Sequence, residues 1–304
     1  MASPAVTPSD HRSADTPVIA FFNAAGGSAA AARKALESAG SFEIRDTEAS
    51  SLAQAVRDAV SSGARRVLVC GGDGTIACAA DALAGTDVEL AVVPGGTLNH
   101  FARDHAIPVL AADAVAVAMG EHTSAVDVGY VGDSLFLNTF SVGMYVGYVR
   151  ARDRLEKRFG YRIASFLALL RTFVRMWTMS VELEVDGKVR FYKTALVFVG
   201  VGERELQAPK FGARVSGGRR GLHVMVVTGR RRARLVALAM AAASRGVAHA
   251  AQGAELDSFV VSRCTIHMKR KRVMPIAVDG EIKHANTPLE LRLAADALNV
   301  VTAG

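Results

Sequence analysis

Two short glycine runs, Gly71-Gly72-Asp73-Gly74-Thr75 and Pro94-Gly95-Gly96-Thr97-Leu98-Asn99, carry the residue types that a bound polyphosphate needs. Glycine has no Cβ, so its backbone N–H can approach a phosphate oxygen closely, and a helix beginning near Thr75 would add its positive end. Asp73 cannot serve an anion directly. A carboxylate among such amides suits Mg²⁺ or its water shell, because Mg²⁺ binds through one or two carboxylates together with substrate phosphates. Either run alone also reads as a tight turn, with Asp73 as a helix cap, but two on successive strands favour the phosphate site. The chain has no G-x-x-x-x-G-K-[ST] stretch, so the P-loop class is not supported.

The loops follow the apolar runs Val67-Leu68-Val69-Cys70 and Leu90-Ala91-Val92-Val93, which read as buried strands. That places both at the carboxyl ends of strands, where open α/β sheets bind ligands. Around them, strands at 18–22, 42–45 and 125–128 alternate with helices at 28–38, 52–60, 76–83 and 111–119. This alternation predicts a Rossmann-like α/β domain over 18–129 with a mostly parallel sheet. From residue 130 the texture changes to hairpins, as in 181–185, the Asp186-Gly187 turn and 189–192, with further strands at 194–199, 222–227, 259–266 and 276–278. A β-rich antiparallel sheet or sandwich over 130–287 is expected. Residues 1–17 lack the basic start and apolar run of a signal peptide and read as a disordered tail.

One helix interrupts the β-rich region, with Ile163, Phe166, Leu167, Leu170, Phe173, Val174 and Trp177 at helical spacing among Arg162, Arg171 and Arg175. It either covers the sheet or faces lipid, its arginines meeting headgroups. A second, alanine-rich helix is expected at 235–243.

Half of the 304 residues are hydrophobic and the formal charge is +7, which implies an anionic partner. Basic clusters lie at Arg150, Arg152, Arg154 and Lys157-Arg158, at Arg219-Arg220, at 230–234 and at Lys269-Arg270-Lys271-Arg272. Aromatic residues are not interleaved with them, so nucleic acid is not expected, and peripheral docking on an anionic membrane surface competes with plain solvation. Cys70, Cys78 and Cys264 fit no metal spacing and suggest a reducing cytoplasm, and no apolar run reaches the length of a membrane span.

The two loops, together with His100-Phe101-Ala102-Arg103-Asp104 and Asp279-Gly280-Glu281, closely resemble the bacterial diacylglycerol kinase-like lipid kinases, relatives of sphingosine kinases. The Gly-Gly-Asp-Gly-Thr element by itself is shared with NAD kinases and phosphofructokinases. The resemblance implies an ATP-binding α/β domain, a lipid-binding β-rich domain, a reaction cleft between them, and a chain end, about 288–304, that returns to the first domain. It implies a phosphate cradle of Gly71, Gly72, Gly74, Gly95, Gly96 and Thr97, with hydrogen bonds from Thr75 and Asn99. Asn23 would contact the nucleotide, Asp73 and Asp127 would organise Mg²⁺, and Glu281 would be the general base toward a diacylglycerol-like or sphingoid hydroxyl.

The chain also departs from that pattern. His100 stands where many relatives have aspartate, Cys78 where they often have glutamate, and Gly221-Leu222-His223 lacks the aspartate through which some hold a structural Mg²⁺. A soluble-substrate kinase of the NAD kinase type and a catalytically silent lipid- or nucleotide-binding module therefore stay open, as does a homodimer.

Overall fold

The computed structural model describes residues 18–23, 29–174, 178–205, 213–227, 256–268 and 272–304. The expected tail at 1–17, residues 24–28 after Asn23, Arg175 and Trp177, the alanine-rich helix expected at 235–243 and the basic residues 230–234 and 269–271 lie outside them.

Strands β1 (Val18–Phe22), β2 (Phe42–Asp46), β3 (Arg66–Gly71) and β4 (Glu89–Pro94) pair in parallel in the order β2-β1-β3-β4. β3 and β4 are apolar almost throughout because helices cover both faces of the sheet. On one face α2 (Ala49–Ser61) and α3 (Asp73–Leu83) pack Leu52, Val56, Ile76 and Leu83 against Val67, Val69 and Val92. On the other, α1 (Ala29–Ala39) and α5 (Ala111–Met119) pack Leu36 and Val115 against Leu68, Ala91 and Val93. Between them the five-residue α4 (His100–Asp104), which local pattern does not predict, follows the second glycine loop.

The next strands are β5 (Thr123–Val131), β6 (Ser134–Phe136) and β7 (Thr139–Gly143), followed by α6 (Met144–Val174), which breaks at Gly160 (φ 71°, ψ 163°). Then come β8 (Met179–Val185), β9 (Lys188–Thr194), β10 (Leu196–Val201), β11 (Leu222–Val227), β12 (Leu256–Val261) and β13 (Arg263–His267). β14 (Val273–Val278), β15 (Glu281–Asn286) and β16 (Leu289–Val301) complete the order. β7, β10, β11, β12, β14 and β15 form an antiparallel sheet of 6 strands.

This sheet stacks on β8, β13 and the first half of β16, burying Phe140, Val199, Val224 and Ile276 from one side against Leu183, Ile266 and Leu291 from the other. The architecture is an α/β region with a mostly parallel sheet followed by an antiparallel β sandwich. β16 belongs to both, since Leu291 pairs with Cys264 of β13 while Asn299 and Val300 lie parallel to Glu89 and Leu90 of β4.

The strand expected over 259–266 is two strands. The chain changes sheets at Ser262, and alternation of side chains cannot reveal which sheet a strand joins. Both Asp-Gly turns close two-residue hairpins with positive φ at each central residue, 48° and 71° at Asp186-Gly187 and 48° and 84° at Asp279-Gly280. Asparagine or aspartate followed by glycine tolerates that conformation best.

Candidate active site

The two glycine loops lie backbone against backbone. The Gly95 N–H donates to the Gly71 carbonyl at 2.7 Å. A Cβ on Gly96 would come 2.8 Å from the Gly72 Cα, and one on Gly95 3.3 Å from the Gly71 Cα. Only glycine permits this approach. Below the first loop, a Cβ on Gly71 would meet the Thr75 side chain at 2.6 Å, and the Asn23 amide donates to the Thr75 hydroxyl at 3.4 Å.

The first loop opens into α3, with Gly72 as cap and Asp73 in the first turn. In the second loop Asn99 takes the left-handed conformation (φ 50°, ψ 48°), where asparagine is among the better tolerated residues. Its buried side chain accepts from the Gly96 N–H and donates to the Gly96 carbonyl, both at 2.9 Å. The carboxamide that the resemblance assigns to a nucleotide thus closes its own loop. Thr97 is exposed beside it.

Asp73 ties the loops together a second time, its Oδ1 accepting the Phe101 N–H at 3.2 Å. Glu281 arrives from the other side. Its Oε1 lies 2.7 Å from the place a Cβ on Gly74 would take, so the distant carboxylate rests on the first glycine loop. The hairpin carrying it is pinned by Asp279, whose carboxylate accepts the N–H groups of Leu137, Asn138 and Thr139 at 2.7, 2.8 and 2.8 Å. Burial raises the Asp279 carboxyl above its ordinary value; these amides oppose that shift and the nearby Asp73 charge adds to it.

Asp127 has a different environment. Its buried carboxylate is gripped by the Arg220 guanidinium through both oxygens and accepts the Asp296 N–H at 3.0 Å. Burial opposes ionisation there, yet Arg220 and the Asp296 amide hold the carboxyl below the usual range. Arg220 also binds the Asp296 carboxylate at 2.7 Å. The carboxylate that the resemblance assigns to Mg²⁺ is paired with Arg220 here. Among the described residues no group of three or more His, Cys, Asp or Glu side chains is placed to hold a metal. Asp73 is the loops' own carboxylate, with Glu281 of β15 resting on Gly74, and so few carboxylates fit an ion held mainly through substrate phosphates.

Sequence reasoning missed this pairing and that of Arg204. The buried Arg204 binds Asp104 at 2.7 Å and the carbonyls of Val201 and Asn138 at 2.7 and 3.1 Å. The Asp104 pairing fastens the end of α4 to the sandwich. Arg219-Arg220 stood out in the sequence only as a basic run, and nothing local identified Arg204.

The mostly parallel sheet and the antiparallel sandwich that follows it are shared with solved structures described as diacylglycerol kinases. Residues 17–131 match the diacylglycerol kinase catalytic domain family. The chain is 35% identical over 151 residues to a Pseudomonas putida protein named "Probable lipid kinase YegS-like", covering 48% of this chain and 50% of that one. It is 30% identical over 135 residues to a diacylglycerol kinase of Mycobacterium tuberculosis, covering 42% and 43%. The chain thus matches about half the length of these relatives. A crystal structure of a diacylglycerol kinase from Bacillus anthracis str. Sterne superposes with a TM-score of 0.69 over 94% of this chain and 97% of that one, at 20% identity, a likeness of fold.

Proposed function

We propose that this protein is a lipid kinase that transfers the γ-phosphate of ATP to the hydroxyl of a diacylglycerol-like or sphingoid lipid, where the glycine loops meet the Asp279-Gly280-Glu281 hairpin. The observation that carries this reading is the contact of Glu281 with Gly74, which brings a carboxylate from β15 to the mouth of the phosphate loops. Phosphoryl transfer asks little covalent chemistry of a protein, only positioning, charge neutralisation and a group that accepts the nucleophile's proton. Gly72 and Gly74 present backbone amides to the phosphates, while Gly71, Gly95 and Gly96 let the two loops close on each other. The α3 N-terminus faces the same anion. Thr97 lines the exposed edge and Asn23 orients Thr75. Asp73 would hold Mg²⁺, which when bound neutralises charge on the phosphate oxygens. Glu281 takes the proton of the lipid hydroxyl as that oxygen bonds to the γ-phosphorus and the bond to the ADP oxygen breaks.

The acceptor would reach the site from a membrane surface. Phe159, Ile163 and Phe166 of α6 are exposed at 41%, 55% and 65%, and Arg150, Arg154, Arg158 and Arg171 are exposed on the same helix. Apolar side chains next to cations suit an anionic leaflet, each basic residue near the surface adding ~1 kcal/mol. No helix among the described residues is long and apolar enough to cross a membrane. The deciding experiment is incubation of the protein with labelled ATP, Mg²⁺ and extracted membrane lipids, with NAD in a parallel reaction. A labelled lipid is expected; label on NAD and on no lipid would move the protein to a soluble-substrate kinase.

A further inference from the structure

Three guanidiniums, those of Arg204, Arg214 and Arg220, meet where α4 abuts the sandwich, and they face three carboxylates, Asp104, Asp127 and Asp296. The pairing is uneven. Arg204 takes Asp104, while Arg220 takes both Asp127 and Asp296. Arg214 is left with an imidazole: its Nη1 lies 3.4 Å from the His105 Nε2, and among the described residues it makes no ion pair. His105 is held neutral at pH 7, its pKa lowered to about 4 by burial and by the Arg214 charge, so it returns no charge to Arg214.

Arg214 is thus a half-buried cation near two others, with Asp104 and Asp127 acting on it only from a distance. The fold makes room for it. Gly202 has φ 74°, and a Cβ there would come 2.9 Å from the Arg214 Nε, so a side chain at 202 would displace the guanidinium. Beside it Arg204, joined to Arg214 by a backbone bridge, is buried with its Nε unpartnered. A desolvated cation with unused donors and a neutral neighbour calls for an oxyanion, and a planar guanidinium fork matches phosphate.

We propose that Arg214, backed by Arg204, is a receptor for a phosphate-type oxyanion at the seam between α4 and the sandwich. The receptor stands on these residues; that its ligand belongs to the reaction, as a nucleotide phosphate or as the phosphate of an anionic lipid headgroup, rests on the kinase reading above. Because α4 and His105 directly follow the second glycine loop, an anion held here lies about two helical turns or less from that loop.

His105 supplies the reporter. In the full chain its ring Cε1–H signal, assigned by comparison with His105→Gln, is followed by NMR while inorganic phosphate is added. A saturable shift is expected in the wild type. Arg214→Gln, which keeps a donor for His105, should weaken the apparent affinity at least about tenfold, and Arg214→Lys, which keeps the charge without the fork, should lie between. Titrations with ATP and with glycerol 3-phosphate separate the sources: the one that saturates at the lower concentration identifies which phosphate is received. No saturable shift in the wild type, or equal affinity in wild type and Arg214→Gln, would overturn the proposal. A wild type that shows the shift and transfers no phosphate to lipid would sink the kinase reading alone.

Discussion

The first glycine loop opens directly into the 11-residue α3 and receives Glu281, whereas the second ends on a left-handed Asn99 and opens only the five-residue α4. Nearly the same residue types therefore do different work. In the first, a full helix end carries Asp73, which accepts the Phe101 N–H, and Gly74, against which Glu281 rests. In the second, the polar side chain is spent on the loop itself, Asn99 binding Gly96 twice, while Asp104 and His105 just beyond it engage Arg204 and Arg214. The first loop has the makings of the chemical site; the second braces it and ties it to the sandwich.

The sharpest way to break this contrast is at Glu281. Glu281→Gln removes the proton acceptor with little change in bulk and should lower lipid phosphorylation by roughly 10²–10⁴-fold, with nucleotide affinity nearly unchanged. An unaltered turnover number would strip Glu281 of its role. Gly74→Ala tests the same contact from the other partner. Its Cβ would come 2.7 Å from the Glu281 Oε1, the movable end of a flexible side chain, so turnover should fall while the melting temperature holds.

At the contact between the loops the expected failure is structural. Gly96→Ala puts a Cβ 2.8 Å from the Gly72 Cα and 3.0 Å from the Asn99 Oδ1, so backbone must move. It should cost about 1–3 kcal/mol of stability by denaturant titration and weaken ATP binding. Gly72→Ala is the control, because its Cβ meets the Gly96 Cα at an ordinary 3.4 Å. Equal losses for the two would mean that the loops are not in the contact described.

Much of this contrast was open to sequence reading, and the part that was not has a physical reason. Strands β3 and β4, the helix after the first loop and the two Asp-Gly hairpins follow from local rules: apolar runs, glycine punctuation and positive φ. Asn99 was visible as a polar residue beside glycines, but whether its carboxamide faces a ligand or its own loop depends on a left-handed φ that no residue pattern declares. Asp127 lies within β5, and its pairing with Arg220, 93 positions away, could not be read from a residue that looks like any surface arginine. Arg204 and Asp104, 100 positions apart, are equally silent. Ion pairs across a fold leave no periodicity.

Asn99→Ala should be the milder lesion in the second loop. It removes two hydrogen bonds and puts alanine in a left-handed conformation, together about 2 kcal/mol. Asn99→Gly loses the same bonds without the conformational cost and should lie between alanine and wild type in thermal melts. If glycine proved no better than alanine, the bonds to Gly96 alone would account for the asparagine.

A pH effect separates the brace from the chemical site. His105 has a folded pKa of about 4 against an ordinary 6.5, so the unfolded chain takes up this proton first. The native state therefore holds its full advantage from His105 above pH 6.5 and loses it as pH falls toward about 4. His105→Gln should flatten that part of the stability curve measured by denaturant titration. Arg214→Gln should only shallow it, because burial is the larger cause of the low value and the neighbouring Arg204 charge persists. Glu281→Gln should leave it untouched. A change in this acid limb on altering Glu281 would join the two loops into one electrostatic unit and end the division of labour drawn between them.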